Sequence, residues 1–294
     1  MYRSHSVAAE KIGFTSIRPF YGQNGSLEEV LGGLNFGSTQ ARIMNQGSYS
    51  HQSLNQQLRQ VSETMQLLQL QLTEDTALQL TKSSIFFLSF GKEDYIDLFI
   101  HNSSSSNHTL QRGSQYFATI LVNQMANAAR YLYNANARKI TCLGVLPLGC
   151  TPRMVWELNS TSLAGDSNAT GCVEHVNDMI FEYNRLLDEQ IDKLNTEFPD
   201  AQMVFCDVYN GMMEIINEPR LYGMFFHPLI ALHWRFSCSE CSASYNNHTK
   251  CSLYRFWRRE ERVLRTWFEW CHDRMHLHGH GLWSSFNSCL VGFV

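Results

Sequence analysis

The stretch KITCLGV at residues 139–145 decides the fold, because it is a short apolar run that ends just before Pro147 and Gly149. Runs of this length and composition are typical of strands that are buried on both faces of a sheet. Similar runs lie at residues 84–90 (SIFFLSF) and 202–208 (QMVFCDV). The chain therefore contains at least three candidate buried strands.

Helical patterns separate these strands. Residues 54–72, 115–134 and 172–198 carry apolar side chains at steps of three and four, which predicts amphipathic helices. Residues 101–114 and 156–171 are polar and predict loops. Alternating strands and helices indicate a parallel α/β sheet, in which functional groups gather at the carboxyl ends of the strands.

The composition excludes several classes of protein. The 294 residues are 44% hydrophobic and 17% charged, which indicates a folded chain. The net charge of −4 gives no indication of nucleic-acid binding. No apolar run reaches the roughly 18 residues that a membrane span needs, so no span is expected.

The chain divides into two compositionally different parts. Residues 1–223 carry a net charge of −7, whereas residues 224–294 carry +3 and hold five of the six tryptophans. This contrast predicts a domain over 1–223 and a tail of different origin over 224–294. We interpret the tail as out-of-frame or intron-derived sequence that packs poorly, because its apolar residues follow no helical or strand period.

Four segments, in order, resemble the plant GDSL-type esterase/lipases of the SGNH hydrolase superfamily. Residues 33–43 (GLNFGSTQARI) look like a G-x-N-[FY]-A-S-G-G-A-G-I block, and residues 87–97 (FLSFGKEDYID) look like a G-x-N-D-Y-I block. Residues 138–153 (RKITCLGVLPLGCTPR) look like a P-L-G-C-x-P block, and residues 182–219 fit the helix and strand that follow. The resemblance implies a flavodoxin-like three-layer α/β/α fold, incomplete at both ends.

The resemblance also implies hydrolysis of carboxylic esters by a Ser-His-Asp mechanism without a cofactor. Backbone amides and an asparagine side chain would donate to the oxyanion. In this sequence Thr39 stands where the family has its oxyanion glycine, and Glu93 stands where it has its asparagine. An ionised carboxylate only accepts hydrogen bonds. The printed sequence also contains no G-D-S-L block and no W-D-x-x-H-P-T block.

These departures predict a catalytically incompetent member of the family. If the protein is active after all, the expected partner is a small-molecule acyl ester. The alternative is a secreted, non-catalytic module that uses the old cleft to bind an ester or a cell-wall glycan. We interpret Asp94, which neighbours Glu93, as a structural residue rather than a catalytic acid. Adjacent carboxylates at 93 and 94 could hold a cation, but such pairs are usually solvated turns.

Asparagine sequons point to a secretory compartment. The glycosylation candidates precede a serine or threonine by two positions and are Asn24, Asn102, Asn107, Asn159 and Asn168. The opening MYRSHSVAAEKIGF carries no signal peptide, so we expect a missing N-terminal segment. By family resemblance and sequons, the expected location is extracellular.

The cysteines leave two questions open. Cys150 and Cys172 flank a polar loop and are either a disulfide or two thiols. In the tail, Cys238 and Cys241 have the spacing of a zinc knuckle, but the His272 and His276 pair lies too far downstream. No metal site is therefore expected. The oligomeric state is open.

Overall fold

The computed structural model describes residues 17–38, 40–44, 52–100, 107–151, 154–155, 158, 171–218 and 290–293. Within them the strands are β1 (Arg18–Pro19), β2 (Leu34–Asn35), β3 (Ile85–Ser89), β4 (Lys139–Leu143), β5 (Gln202–Cys206) and β6 (Leu290–Phe293). The helices are α1 (Leu27–Leu31), α2 (Leu54–Gln71), α3 (Glu74–Ser83), α4 (Lys92–Ile100), α5 (Asn107–Asn134), α6 (Glu174–Glu197) and α7 (Val208–Asn217).

All six strands form one parallel sheet in the order β1-β2-β6-β3-β4-β5. The three strands anticipated from their apolar runs lie side by side. Ile85 pairs with Lys139 and Ser89 with Leu143, and the same five residues of β4 pair with β5. Their carboxyl ends therefore open at one edge of the sheet.

The sheet is covered on both faces. Four consecutive residues of β3, from Ile85 to Leu88, are buried. Successive strand side chains point to opposite faces, so this run requires helices on each side. The three-layer α/β/α architecture expected from the sequence is thus confirmed, and Leu88, Leu121 and Leu187 are fully buried in its core.

The anticipated helices are present, with one boundary that differs. Helices α2 and α6 fall within a residue or two of their expected bounds, and a capping box of Ser53 and Gln56 explains where α2 begins. Helix α5 begins at Asn107, although residues 107–114 were expected to be loop. Polar, serine-rich sequence before an amphipathic run conceals such an early start, because cap-forming residues also favour turns.

The tail contributes a strand to the middle of the sheet. Residues 290–293 were expected to pack poorly with the rest of the tail, yet they form β6 between β2 and β3. Residues 219–289 lie outside the described part of the chain. The division at residue 223 and the interpretation of the tail therefore stay predictions.

Candidate functional site

Three loops meet at the carboxyl edge of the sheet. Residues 36–44 follow β2, residues 90–91 lead from β3 into α4, and residues 144–151 follow β4. This edge is where a parallel sheet places its functional groups, and it contains the segments on which the resemblance rests.

Asp94 joins the first loop to α4. Its carboxylate accepts hydrogen bonds from the backbone N–H groups of Ile43, at 2.9 Å, and Met44, at 3.0 Å. The residue is 4% exposed. Both carboxylate oxygens are thus engaged by the protein's own backbone, which favours the structural role over that of a catalytic acid.

Burial dominates the electrostatics of this carboxyl. Desolvation raises the pKa of Asp94 from its ordinary 3.8 to about 6, while the two amides and the charge of Arg42 act to lower it. Arg42 in turn pairs with Asp97, which lies in α4 like Asp94: the Arg42 Nη1 is 2.9 Å from the Asp97 Oδ2. The loop after β2 is therefore fastened to α4 at two neighbouring points.

The pH dependence of stability tests this arrangement. A carboxyl whose folded pKa is raised contributes stability below its unfolded pKa and loses that contribution as the pH rises through about 6. Between about pH 3 and 7, we expect the parent to lose roughly 3 kcal/mol of unfolding free energy relative to Asp94→Asn. Urea denaturation at a series of pH values measures the difference. Asp192→Asn, at an exposed helical position, is the control, and parallel profiles for all three proteins would contradict the expectation.

Glu93 lies in the first turn of α4, just beyond the end of β3. Its Oε1 is 2.9 Å from Nζ of Lys92, and its side chain is 16% exposed. The site thus presents a carboxylate, paired with a neighbouring ammonium group, at the position where the resemblance implies an amide donor. Thr39, the other oxyanion position, lies outside the described residues.

The residue after Thr39 shows a conformation that the sequence did not reveal. Gln40 has a φ of 58°, in the left-handed region that non-glycine residues adopt at a cost of about 1–2 kcal/mol. Thr39 was predicted only to replace the family's oxyanion glycine, and no special conformation was predicted for Gln40. The resemblance gives the signal that could have found it, because the corresponding family block is rich in glycine.

Gly91 keeps the turn between β3 and α4 narrow. Its φ is 104°, and an added Cβ would lie 3.1 Å from the Tyr183 hydroxyl oxygen and 3.2 Å from Cγ2 of Val145. The Tyr183 hydroxyl also lies 3.4 Å from the carbonyl oxygen of Phe90, to which it donates. Glycine is required at position 91 both by the backbone angle and by this contact.

Two buried asparagines of α6 position the loop after β4. Asn184 accepts a hydrogen bond from the Val145 N–H and donates one to the Val145 carbonyl oxygen, both at 2.8 Å. About two helical turns earlier in α6, the Asn177 side chain accepts from the Gly149 N–H, also at 2.8 Å. These contacts satisfy backbone groups that the sheet ladder no longer reaches. Neither residue was predicted from the sequence.

A disulfide fastens the far end of the same loop. Cys150 and Cys172 are joined, with their Cα atoms 4.3 Å apart, and Val173 donates its N–H to the Gly149 carbonyl oxygen at 2.8 Å. The start of α6 is thereby tied to the carboxyl edge of the sheet by one covalent bond and by the hydrogen bonds of Val173 and Asn177 to Gly149.

Only some of the other predicted sites lie within the described residues. Asn24 lies on the surface before α1, and α5 begins at Asn107, whose side chain is not described. The remaining glycosylation candidates, Asn102, Asn159 and Asn168, lie outside the described residues, as do the cysteines and histidines of the tail. In the described ranges, no group of three or more His, Cys, Asp or Glu residues could hold a metal ion. No helix within those ranges is both long and apolar enough to cross a membrane.

Known proteins match the part of the chain that contains the segments at the carboxyl edge of the sheet. The sequence pattern of the family described as GDSL-like Lipase/Acylhydrolase matches residues 4–237. GDSL esterase/lipase At1g71250 of Arabidopsis thaliana is 30% identical over 208 residues, which are 70% of this chain and 54% of that protein. GDSL esterase/lipase At5g37690 of the same plant is 26% identical over 224 residues, covering 74% of this chain and 59% of the relative.

A third relative gives similar coverage. GDSL esterase/lipase 7 of Arabidopsis thaliana is 26% identical over 222 residues, which are 74% of this chain and 59% of that protein. The chain thus spans less than two thirds of the length of each of these relatives.

Proposed function

Because the chain belongs to the family of GDSL-like lipases and acylhydrolases, we propose that it is a carboxylic-ester hydrolase scaffold that does not turn esters over. The single observation that carries the proposal is the Glu93 carboxylate at the carboxyl end of β3. The substrate class follows from the family, and the relatives are called esterase/lipases.

The chemistry of ester cleavage sets the requirement. Attack on the carbonyl creates a negative oxygen, which hydrogen-bond donors must stabilise in the transition state. Removing one such donor from an enzyme costs roughly a hundredfold to a thousandfold in rate. A carboxylate at the donor's position removes the hydrogen bond and adds a like charge, so we expect a loss at least as large. The ion pair with Lys92 reduces the net charge there but supplies no donor at the position of Glu93.

The assay uses the whole 294-residue chain and 4-nitrophenyl butyrate. We expect no hydrolysis above the buffer rate and no covalent labelling by a fluorophosphonate, a probe for an activated serine hydroxyl. Hydrolysis or labelling of the parent chain would overturn the proposal.

A substitution then tests whether Glu93 is what prevents ester turnover. Glu93→Asn restores an amide donor, and Glu63→Asn on the exposed face of α2 is the matched control. Turnover that appears only in Glu93→Asn would make the carboxylate the whole cause. Silence in both variants would agree with the sequence expectation that other catalytic groups are missing as well. Binding of the ester without turnover would favour the alternative that the protein is a non-catalytic module that binds esters, over a scaffold that neither binds nor cleaves them.

A further inference from the structure

We propose that Asn24 is an acceptor site for an N-linked glycan. The proposal goes beyond the ester-hydrolase scaffold and is independent of it. It starts from the sequon Asn24-Gly25-Ser26, which has no part in the carboxyl-edge site. The structure provides three observations that distinguish this sequon from a chance match.

The first observation is the orientation of the Asn24 carboxamide. Asn24 is exposed, and its Oδ1 accepts a hydrogen bond from the Ser26 N–H at 2.8 Å. The oxygen is thus turned toward the chain and the amide nitrogen, Nδ2, is left as the atom available to an enzyme. A hydrogen bond to the oxygen also withdraws electron density from the amide and makes an Nδ2 proton easier to remove.

The second observation is the space around the turn. Gly25 has a φ of 79°, and nothing lies within 4 Å of a Cβ built on it. Ser26 is the N-cap of α1, where its Oγ accepts weakly from the Glu29 N–H at 3.4 Å and keeps its own O–H for a further partner. The second sequon position is therefore open, and the third retains the hydroxyl on which sequon recognition depends.

The third observation is that most of the turn's hydrogen bonds are local. The Asn24 N–H donates to Glu29 Oε2 at 2.8 Å, and the Val30 N–H donates to the Ser26 carbonyl oxygen at 3.2 Å. These two contacts span at most five residues, so they can form on a chain that has not completed its fold. In the folded protein the Gln71 side chain also donates from Nε2 to the Gly25 carbonyl oxygen, at 3.0 Å. The sequon at Asn107 differs, because its residues 107–109 lie in the first turn of α5 and take helical backbone angles.

The modification is a group transfer from a lipid-linked oligosaccharyl pyrophosphate. The Asn24 Nδ2 attacks the anomeric carbon of the first sugar, and the new C–N bond replaces the bond from that carbon to the pyrophosphate oxygen. The lipid pyrophosphate leaves with the bonding electrons, and the nitrogen gives up one proton. Nothing is oxidised or reduced.

The test expresses the full chain behind a secretory leader in a eukaryotic host and maps its peptides by mass spectrometry. Treatment with a peptide N-glycosidase in heavy-oxygen water converts each glycosylated asparagine to a labelled aspartate. We expect the Asn24 peptide to be labelled in the parent and in Ser26→Thr, and to be unlabelled in Ser26→Ala. Asn107→Gln is the matched control and should leave the label at Asn24 unchanged.

Ser26→Ala also removes the residue that caps α1, so Asn24→Gln provides a second variant that keeps the cap. The secreted protein should lose one glycan's mass in Asn24→Gln, in a readout that does not depend on ester hydrolysis. An unlabelled Asn24 peptide in the parent overturns the proposal, whether or not other sequons are labelled in the same sample.

Discussion

Replacing Gly149 with alanine is expected to lower the free energy of unfolding by about 3 kcal/mol. The added Cβ would lie 2.2 Å from the Val173 carbonyl oxygen and 2.8 Å from Oδ1 of Asn177. The nearer atom belongs to the backbone and cannot rotate away. The loop and the start of α6 also cannot separate easily, because the Cys150–Cys172 disulfide joins them at the neighbouring residues.

Urea denaturation of the parent and variant measures this loss. Gly32→Ala is the control, since Gly32 has an ordinary φ of −72° and a new Cβ there would lie 3.4 Å from the Glu29 carbonyl oxygen. Reducing the disulfide should shrink the cost of Gly149→Ala, because the two segments could then move apart. A loss no larger than that of the Gly32 control would contradict the close contact between Gly149 and Val173.

The second large effect is expected from Gly292→Pro in β6. This strand lies between β2 and β3, and Gly292 pairs with Asn35 on one side and Phe87 on the other. A residue of a central strand donates its N–H to one neighbour, and proline has no N–H to give. We expect a loss of roughly 3 kcal/mol or more of unfolding free energy, because the sheet is joined through this strand.

Gly292→Ala keeps the N–H and serves as the matched control. Hydrogen exchange adds a readout that a small local change would not give. Amides of β2 and β3 should exchange faster in Gly292→Pro, whereas those between β4 and β5 should change least, since that pair does not contact β6. Equal protection of β3 in the proline and alanine variants would show that β6 does not hold the sheet together.

The parts of the fold that could be predicted are those with a strong local pattern. Short, mostly apolar runs predict buried strands such as Lys139–Leu143, and the regular spacing of apolar residues predicts α6. Strands β1 and β2 have two residues each, too few for any periodicity. Helix α3 was missed although Thr73 caps it and two acidic residues follow, a signal that could have found it.

The candidate site was predictable only in outline. The order of the strands brings the loops at residues 36–44 and 144–151 to one edge, and the structural role of Asp94 agrees with its contacts. Asn177 and Asn184 could not be recognised, because a buried asparagine and a surface one have the same letter. Their partners are 28 and 39 residues away along the chain, so only the packed structure shows them.

The position of β6 also bears on how the molecule reaches its final state. Ribosomal synthesis delivers β2 and β3 more than 200 residues before the strand that separates them, so these contacts form between distant parts of the chain. Contacts of such long range slow folding, and unpaired strand edges attract other chains in the meantime. Until β6 has been made and has paired, β2 and β3 each have one unpaired edge. We expect chaperones to protect these two edges during that interval.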